Sequence, residues 1–315
     1  MRKTGGKKNY GWGSKAGYAG IMALKHHLGQ KHGSLRSHIY RWTIFARYLN
    51  ESGLRDTRLV TTDTLLAYAM TLQTRIEAGQ LSRSYAVNLI STVNVTMSLL
   101  RGESSIRISP KLILGPRTRI RTTPPAGMNR AIVAAAAQYI ADRTAPKEAS
   151  VIHLAREAGL RLREACLMDI DEALIQAERG KMRIIRGTKG GYGRNMQRWI
   201  PVRDSLIDAL RRANEVRGES KCLVPPNKTL KQFTDSVHYF WNLARTNYDL
   251  RKIHDLRAAY ACDRYQQITG YPAPVFSKGK VLATQSADLR AREIISAELG
   301  HRRIDIIGAY IGGRS

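Results

Sequence analysis

MRIIRGTKGGYGRNMQRWIPV, residues 182–202, is where the chain leaves a helical pattern. Ile184 and Ile185 on one side, and Trp199, Ile200 and Val202 on the other, flank a turn holding Gly187, Gly190, Gly191 and Gly193. β-branched and aromatic residues around a glycine cluster predict a β-hairpin. Outward from it, apolar residues recur at three- and four-residue steps, the helical period. Helices are predicted at 128–142 and 147–158 before the hairpin, and at 204–215, 229–243, 254–268, 284–299 and 303–310 after it. YPAPVFSKGK (271–280) reads as a loop. The fold class is therefore mainly α, with one small hairpin.

The segment 16–101 is helical too. Ile39, Trp42, Phe45 and Leu49 form one stripe, with Arg36, Arg41, Arg47 and Arg55 off it. A second stripe, Leu65, Leu66, Ala69 and Leu72, follows Thr61-Thr62-Asp63, and a third, Tyr85, Leu89, Val93 and Met97, follows Ser82. Hydroxyl and carboxylate side chains before an apolar run are N-cap signals. The stripes read as core. Residues 102–126 hold Pro110, Pro116, Pro124 and Pro125 among Arg107, Arg117, Arg119 and Arg121. Proline breaks helices and stiffens the path, so an extended basic linker is expected there. Residues 1–15 carry five basic residues and four glycines without an acid, the composition of a flexible arm. Two domains result, 16–101 and 127–315.

The charge balance narrows the partner. Among 315 residues, 52 are Lys or Arg and 25 are Asp or Glu, a net charge of +27. So large an imbalance repels itself unless a polyanion neutralises it, which points to nucleic acid. Arginine outnumbers lysine 36 to 16, favouring bidentate phosphate contacts. Cys166, Cys222 and Cys262 lie far apart, excluding a zinc finger or a disulfide scaffold; they are expected to be buried or partly buried. No apolar run approaches a membrane span, and the basic N-terminus lacks a secretion signal's apolar stretch, so a cytoplasmic, nucleoid-associated protein is expected. The scattered histidines form no metal site, and the GTKGGYG turn lacks the spacing of a nucleotide phosphate loop.

Four separated pieces of the second domain collect cations and one phenol. GLRLRE (159–164) sets Arg161 and Glu164 one turn apart; the hairpin turn presents Lys189; HDLR (254–257) sets His254 and Arg257 on one face; LGH (299–301) precedes Tyr310 by nine residues. In this order they resemble the tyrosine recombinase (phage integrase) family. The resemblance implies a two-domain, C-shaped clamp on DNA: a core-binding (SAM-like) domain at 16–101 and a catalytic domain at 127–315. It implies that Tyr310 attacks a DNA phosphodiester to give a 3′-phosphotyrosyl link and a free 5′-hydroxyl. Arg161 and Arg257 would clamp the non-bridging oxygens, where transition-state charge gathers. His254 and His301 would hydrogen-bond the phosphate and take the phenol's proton. Lys189 would protonate the leaving 5′-oxygen, and Glu164 would buttress an arginine.

The family implies no nucleotide cofactor and no required Mg²⁺, because the covalent link stores the phosphodiester energy. It implies duplex DNA sites as substrate, a homo-tetramer on paired sites and accessory DNA-bending proteins as further partners. Candidate DNA contacts are Arg36, Arg41, Arg117, Arg119, Arg121, Tyr192 and Arg194. The interval from Arg257 to His301, 44 residues, is longer than the family's usual one, and the excess falls near 268–290. Many relatives swap a C-terminal helix between subunits; with five residues after Tyr310, coupling through another surface is expected. Integration or excision of a mobile element is the preferred role over chromosome-dimer resolution. A type IB topoisomerase, a catalytically silent DNA-binding protein and an RNA-binding protein are the competing readings.

Overall fold

A computed structural model describes residues 7–29, 32–188, 197–301 and 303–313. The chain divides into two compact units, 1–118 and 119–315. Among the described residues no helix is long and apolar enough to cross a membrane.

The first unit packs α1 (Ala16–Leu28), α2 (His32–Glu51), α3 (Thr62–Glu77), α4 (Arg83–Arg101) and the short α5 (Pro110–Leu114). The expected stripes supply its core: Trp42, Phe45, Leu49, Leu65, Leu72, Leu89, Val93 and Met97 are all buried. Leu66 is not; it is largely exposed beside the stripe it was assigned to. Trp42 fixes α1 on α2, its indole N–H donating to the carbonyls of Ala16 and Gly17 at 3.3 and 3.1 Å. Gly20 makes this approach possible, since a Cβ there would lie 2.1 Å from the indole. Thr61 caps α3 in a reciprocal capping box with Thr64, and Ser82 accepts from the backbone N–H of Tyr85 to start α4.

Two expectations need correction. Residues 7–15 are not a free arm: Asn9 is buried, accepts from the Thr57 N–H at 2.7 Å and donates its own backbone N–H to Asp56 at 2.9 Å. Buried polar groups with partners on both sides tie that turn down. Nor is 102–126 one extended linker. Ile108 and Leu114 sink into the first core and 110–114 is helical, with Pro110 at its first turn, where proline is tolerated. Arg121 is bound within the second unit, donating its backbone N–H to Gly308 O at 2.8 Å and pairing with Asp255.

The second unit contains α6 (Arg130–Ala141), α7 (Pro146–Glu157), α8 (Leu162–Leu167), α9 (Ile170–Ala177), β1 (Lys181–Arg183), β2 (Trp199–Pro201), α10 (Asp204–Arg217), α11 (Leu230–Asn247), α12 (His254–Thr269), α13 (Gln285–Glu298) and α14 (Gly308–Ile311). The hairpin is antiparallel, with Met182 opposite Ile200 and both buried. α8 and α9 fall in a stretch for which no helix was predicted. The helix expected at 303–310 is instead a 3₁₀ turn over Ile304–Ile307 followed by α14. Gly308 sits at the junction, where its low helix propensity weakens a continuous helix. The expected loop at 271–280 holds a 3₁₀ turn, Pro274–Ser277, with Pro274 and Val275 buried. Cys166 and Cys262 are buried and Cys222 half-buried, all as free thiols.

Candidate active site

Four pieces of backbone bring the charged groups together. The first is the turn out of α7. Gly159 takes φ +60°, and a Cβ there would lie 2.5 Å from the Tyr260 ring, so only glycine fits both demands. Arg161 follows at the start of α8, and Glu164 folds back onto it. Glu164 Oε2 accepts from the Arg161 backbone N–H at 2.8 Å, and Oε1 from Arg161 Nη1 at 2.7 Å. The second piece is α12. His254 stands exposed at its start, while Arg257, one turn on, is fully buried. The Arg257 guanidinium donates to the carbonyls of Gly159 and Leu299 and lies 3.8 Å from Glu164 Oε2.

The third piece is the exit from α13. Gly300 at φ +64° turns the chain, and the His301 backbone N–H donates to Ser296 O at 2.8 Å. The fourth is α14, which carries Tyr310, only 6 % exposed. Its backbone is anchored from several directions. Gly308 O accepts from Arg121, Tyr310 O lies 3.7 Å from Cys262 Sγ, and Gly312 O accepts from Arg292 Nη2 at 3.1 Å. A Cβ at Gly312 would sit 2.9 Å from both Arg121 O and Val275 N, so the 3₁₀ turn Pro274–Ser277 helps seat this segment.

These pieces converge on the phenol. Tyr310 Oη lies 3.0 Å from His301 Nε2 and 3.5 Å from Arg257 Nε, and the Arg257 Nη2 to His301 Nε2 distance is 3.5 Å. The His254 and Tyr310 ring centroids are 5.7 Å apart. The electrostatics follow from burial and crowding of positive charge. Burial, then Arg257, Arg161 and Arg198, push the His301 imidazole down to about 4. His254, though open to solvent on one side, is pushed down as well, by the partial loss of hydration where it packs into the cluster and by the same Arg257 and Arg161. Both rings are therefore neutral near pH 7, and with the proton on Nδ1 the His301 Nε2 has a lone pair to offer the phenol proton. Burial also pushes the Arg257 guanidinium down to about 10, which leaves it cationic at neutral pH. Burial pushes the Glu164 carboxyl up, but Arg198, Arg257 and Arg161 together outweigh it and hold it below its usual value.

Of the expected site residues, Arg161, Glu164, His254, Arg257, His301 and Tyr310 are brought together. Lys189, Tyr192 and Arg194 lie outside the described residues. Among the candidate DNA contacts, Arg36 and Arg119 are exposed, Arg41 is half-buried, and Arg117 donates to Asn88 at 3.1 Å. Arg121 is already engaged within the protein, its guanidinium serving Asp255 and the carbonyl of Thr123. The residue that sequence reading missed is Arg198, 2 % exposed, whose Nη1 donates to Glu164 Oε1 at 2.7 Å. Its signal was strand alternation. Arg198 is two residues from buried Ile200, so it shares the inward face, while Trp199 between them faces out.

Residues 119–263 match the integrase family model. A comparison with curated proteins gave no significant match. Among solved structures, the fold resembles a lambda integrase dimer bound to a COC′ core site, with a TM-score of 0.60 at 14% identity over 93% of this chain and 76% of that one. It resembles a lambda integrase tetramer bound to a Holliday junction to a similar degree, with a TM-score of 0.58 at 15% identity over 95% and 78% of the two chains. At such identities the likeness speaks for the fold alone. The integrase model, matching residues 119–263, together with this fold supports placing the second unit in the tyrosine recombinase (phage integrase) family.

Proposed function

We propose that this protein is a site-specific DNA recombinase that cleaves and rejoins duplex DNA through a 3′-phosphotyrosyl intermediate. The observation that carries the reading is the 3.0 Å separation of Tyr310 Oη from a neutral His301 Nε2, with the buried Arg257 guanidinium beside both. In the proposed step, His301 takes the phenol proton as Tyr310 Oη bonds to phosphorus and the bond to the 5′-oxygen breaks. Arg161 and Arg257 supply fixed cations for the charge growing on the non-bridging oxygens. A proton donor must neutralise the leaving 5′-oxygen, the role assigned to Lys189. The rejoining step runs the same chemistry backward with a 5′-hydroxyl from another strand as attacker.

The charge of +27 suits a long polyanionic substrate, and binding to duplex DNA should weaken steeply with salt. Action as a homo-tetramer on two paired sites, with accessory DNA-bending proteins, in the integration or excision of a mobile element is the biological role we assign. The test uses a pool of nicked duplexes with randomised cores, in which cleavage releases a short fragment and traps the adduct. A denaturant-resistant protein–DNA adduct should form with the wild-type chain and vanish in Tyr310→Phe. Sequencing the trapped DNA would give the site. An adduct that persists in Tyr310→Phe, or none with the wild-type chain, would overturn the proposal.

A further inference from the structure

Arg198 has no part in the chemistry above, yet it is buried within it. Its backbone is fixed by the hairpin, Ile184 N–H donating to Arg198 O at 3.0 Å. From there the side chain reaches inward to two different pieces of the site. Nη1 donates to Glu164 Oε1 at 2.7 Å, the oxygen that also accepts from Arg161. Nε donates to the carbonyl of Glu298 at 2.8 Å, three residues before His301. The turn between them is moulded on the same side chain: a Cβ at Gly300 would lie 2.8 Å from Arg198 Cδ and 3.2 Å from its Nε. Thus one guanidinium spans from the carboxylate that holds Arg161 to the turn that carries His301.

We infer that Arg198 is a positioning residue for strand cleavage, acting as a strut that sets the distance between the Arg161–Glu164 pair and the His301–Tyr310 pair. This rests on the reading under Proposed function. Arg198 acts through other groups: its Nη1 and Nε are spent on Glu164 and the Glu298 carbonyl, whereas Arg257 Nε reaches Tyr310 Oη itself, and its remaining nitrogen, Nη2, is buried with no hydrogen-bond partner among the described residues. A lysine there would not substitute for it. An ammonium is a point donor on a flexible stem, whereas a planar fork holds two acceptors at a fixed angle. An apolar residue would fill space but leave Glu164 tethered on one side only. A strut also explains why a cation is buried beside two others: alone it adds repulsion, but it shares a carboxylate with Arg161 and ties down the carbonyl of Glu298.

The test measures three quantities on Arg198→Met, Arg198→Lys, Glu164→Gln and the Arg198→Met/Glu164→Gln double variant: the rate constant of adduct formation, the Kd for intact duplex, and the melting temperature. Misplacement of reacting groups by about 1 Å costs about 10²-fold in rate, so Arg198→Met should slow cleavage by about that factor while Kd changes less than about twofold. Arg198→Lys should fold and lose about tenfold, because one of the two anchored acceptors is released. The double variant should be no more than about threefold slower than the slower single one, since the two residues act through one contact. The inference is overturned if either Arg198 variant folds and cleaves at the wild-type rate, if rate and affinity fall in proportion, or if the double variant multiplies the single losses. Should Arg198→Met fail to fold, Arg198→Lys decides by the same readings. Absence of any wild-type adduct sinks the functional reading and the strut with it; a wild-type adduct with unaffected Arg198 variants sinks the strut alone.

Discussion

Glu164 is fully buried and, among the described residues, is the one carboxylate in contact with three guanidiniums of the site, two at 2.7 Å and the third at 3.8 Å. Glu164→Gln keeps the shape, removes the charge and turns an amide NH₂ toward one of the cations. Removing one partner of a buried ion pair costs about 3–5 kcal/mol, because the other charge stays buried without compensation. For a unit the size of 119–315, each kcal/mol moves the midpoint by about 2–4 °C, so a drop of about 6–20 °C is expected. Thermal unfolding followed by circular dichroism, with the second unit's transition resolved, measures it. The same reasoning makes a second demand on the variant. Without Glu164 the positive excess is larger, so an anion bound to the cluster should restore more stability to the variant than to the wild type. Inorganic phosphate should therefore narrow the gap, and sodium chloride at matched ionic strength should not. A midpoint shift below about 2 °C, or equal responses to the two salts, would refute the view that Glu164 is the counter-charge of this cluster.

Three further outcomes follow from particular contacts. His301 is held near 4 when folded, against 6.5 for a free imidazole, so the unfolded chain binds its proton first as pH falls. The stability this ring contributes is complete above pH 6.5 and is lost between there and about 4, and His301→Gln should flatten that part of a chemical-denaturation pH series. For the same reason the acid limb of the second-order cleavage rate should fall near pH 4 and not near 6.5. In the first unit, Gly20→Ala places a methyl 2.1 Å from the Trp42 indole. Overpacking of this kind costs about 1–3 kcal/mol, so denaturant midpoints read by tryptophan fluorescence should drop while the second unit's transition stays put.

Much of the fold is legible in period and caps. Trp42, Phe45, Leu49, Val93 and Met97 lie on stripes that are buried as predicted, and Thr61 and Ser82 start helices. What escapes is of a different kind. The turn at Asn9 is held by Asp56, 47 residues away, and no local pattern announces a partner at that distance. α8 and α9 are short, at six and eight residues, too few turns for a period to declare itself. At the site, the order and spacing of Arg161, His254, Arg257, His301 and Tyr310 were readable as motifs. Arg198 was not, because an arginine near a hairpin in a chain with 36 of them draws no notice until its inward phase is known. Arg121 shows the reverse error: a basic residue in a proline-rich stretch looks free, but its carboxylate partner is 134 residues along the chain.

The segment bearing Tyr310, the proposed nucleophile, is pinned by carbonyl contacts at Gly308, Tyr310 and Gly312, drawn from the stretch before α6, from α12 and from α13. Such a mount leaves little room for the main chain to travel. In the proposed reaction, approach of the phenol to phosphorus and its retreat after rejoining then reduce to swivelling about two side-chain bonds. The pace of that swivel is set by one residue's torsions and not by the slower displacement of a whole element.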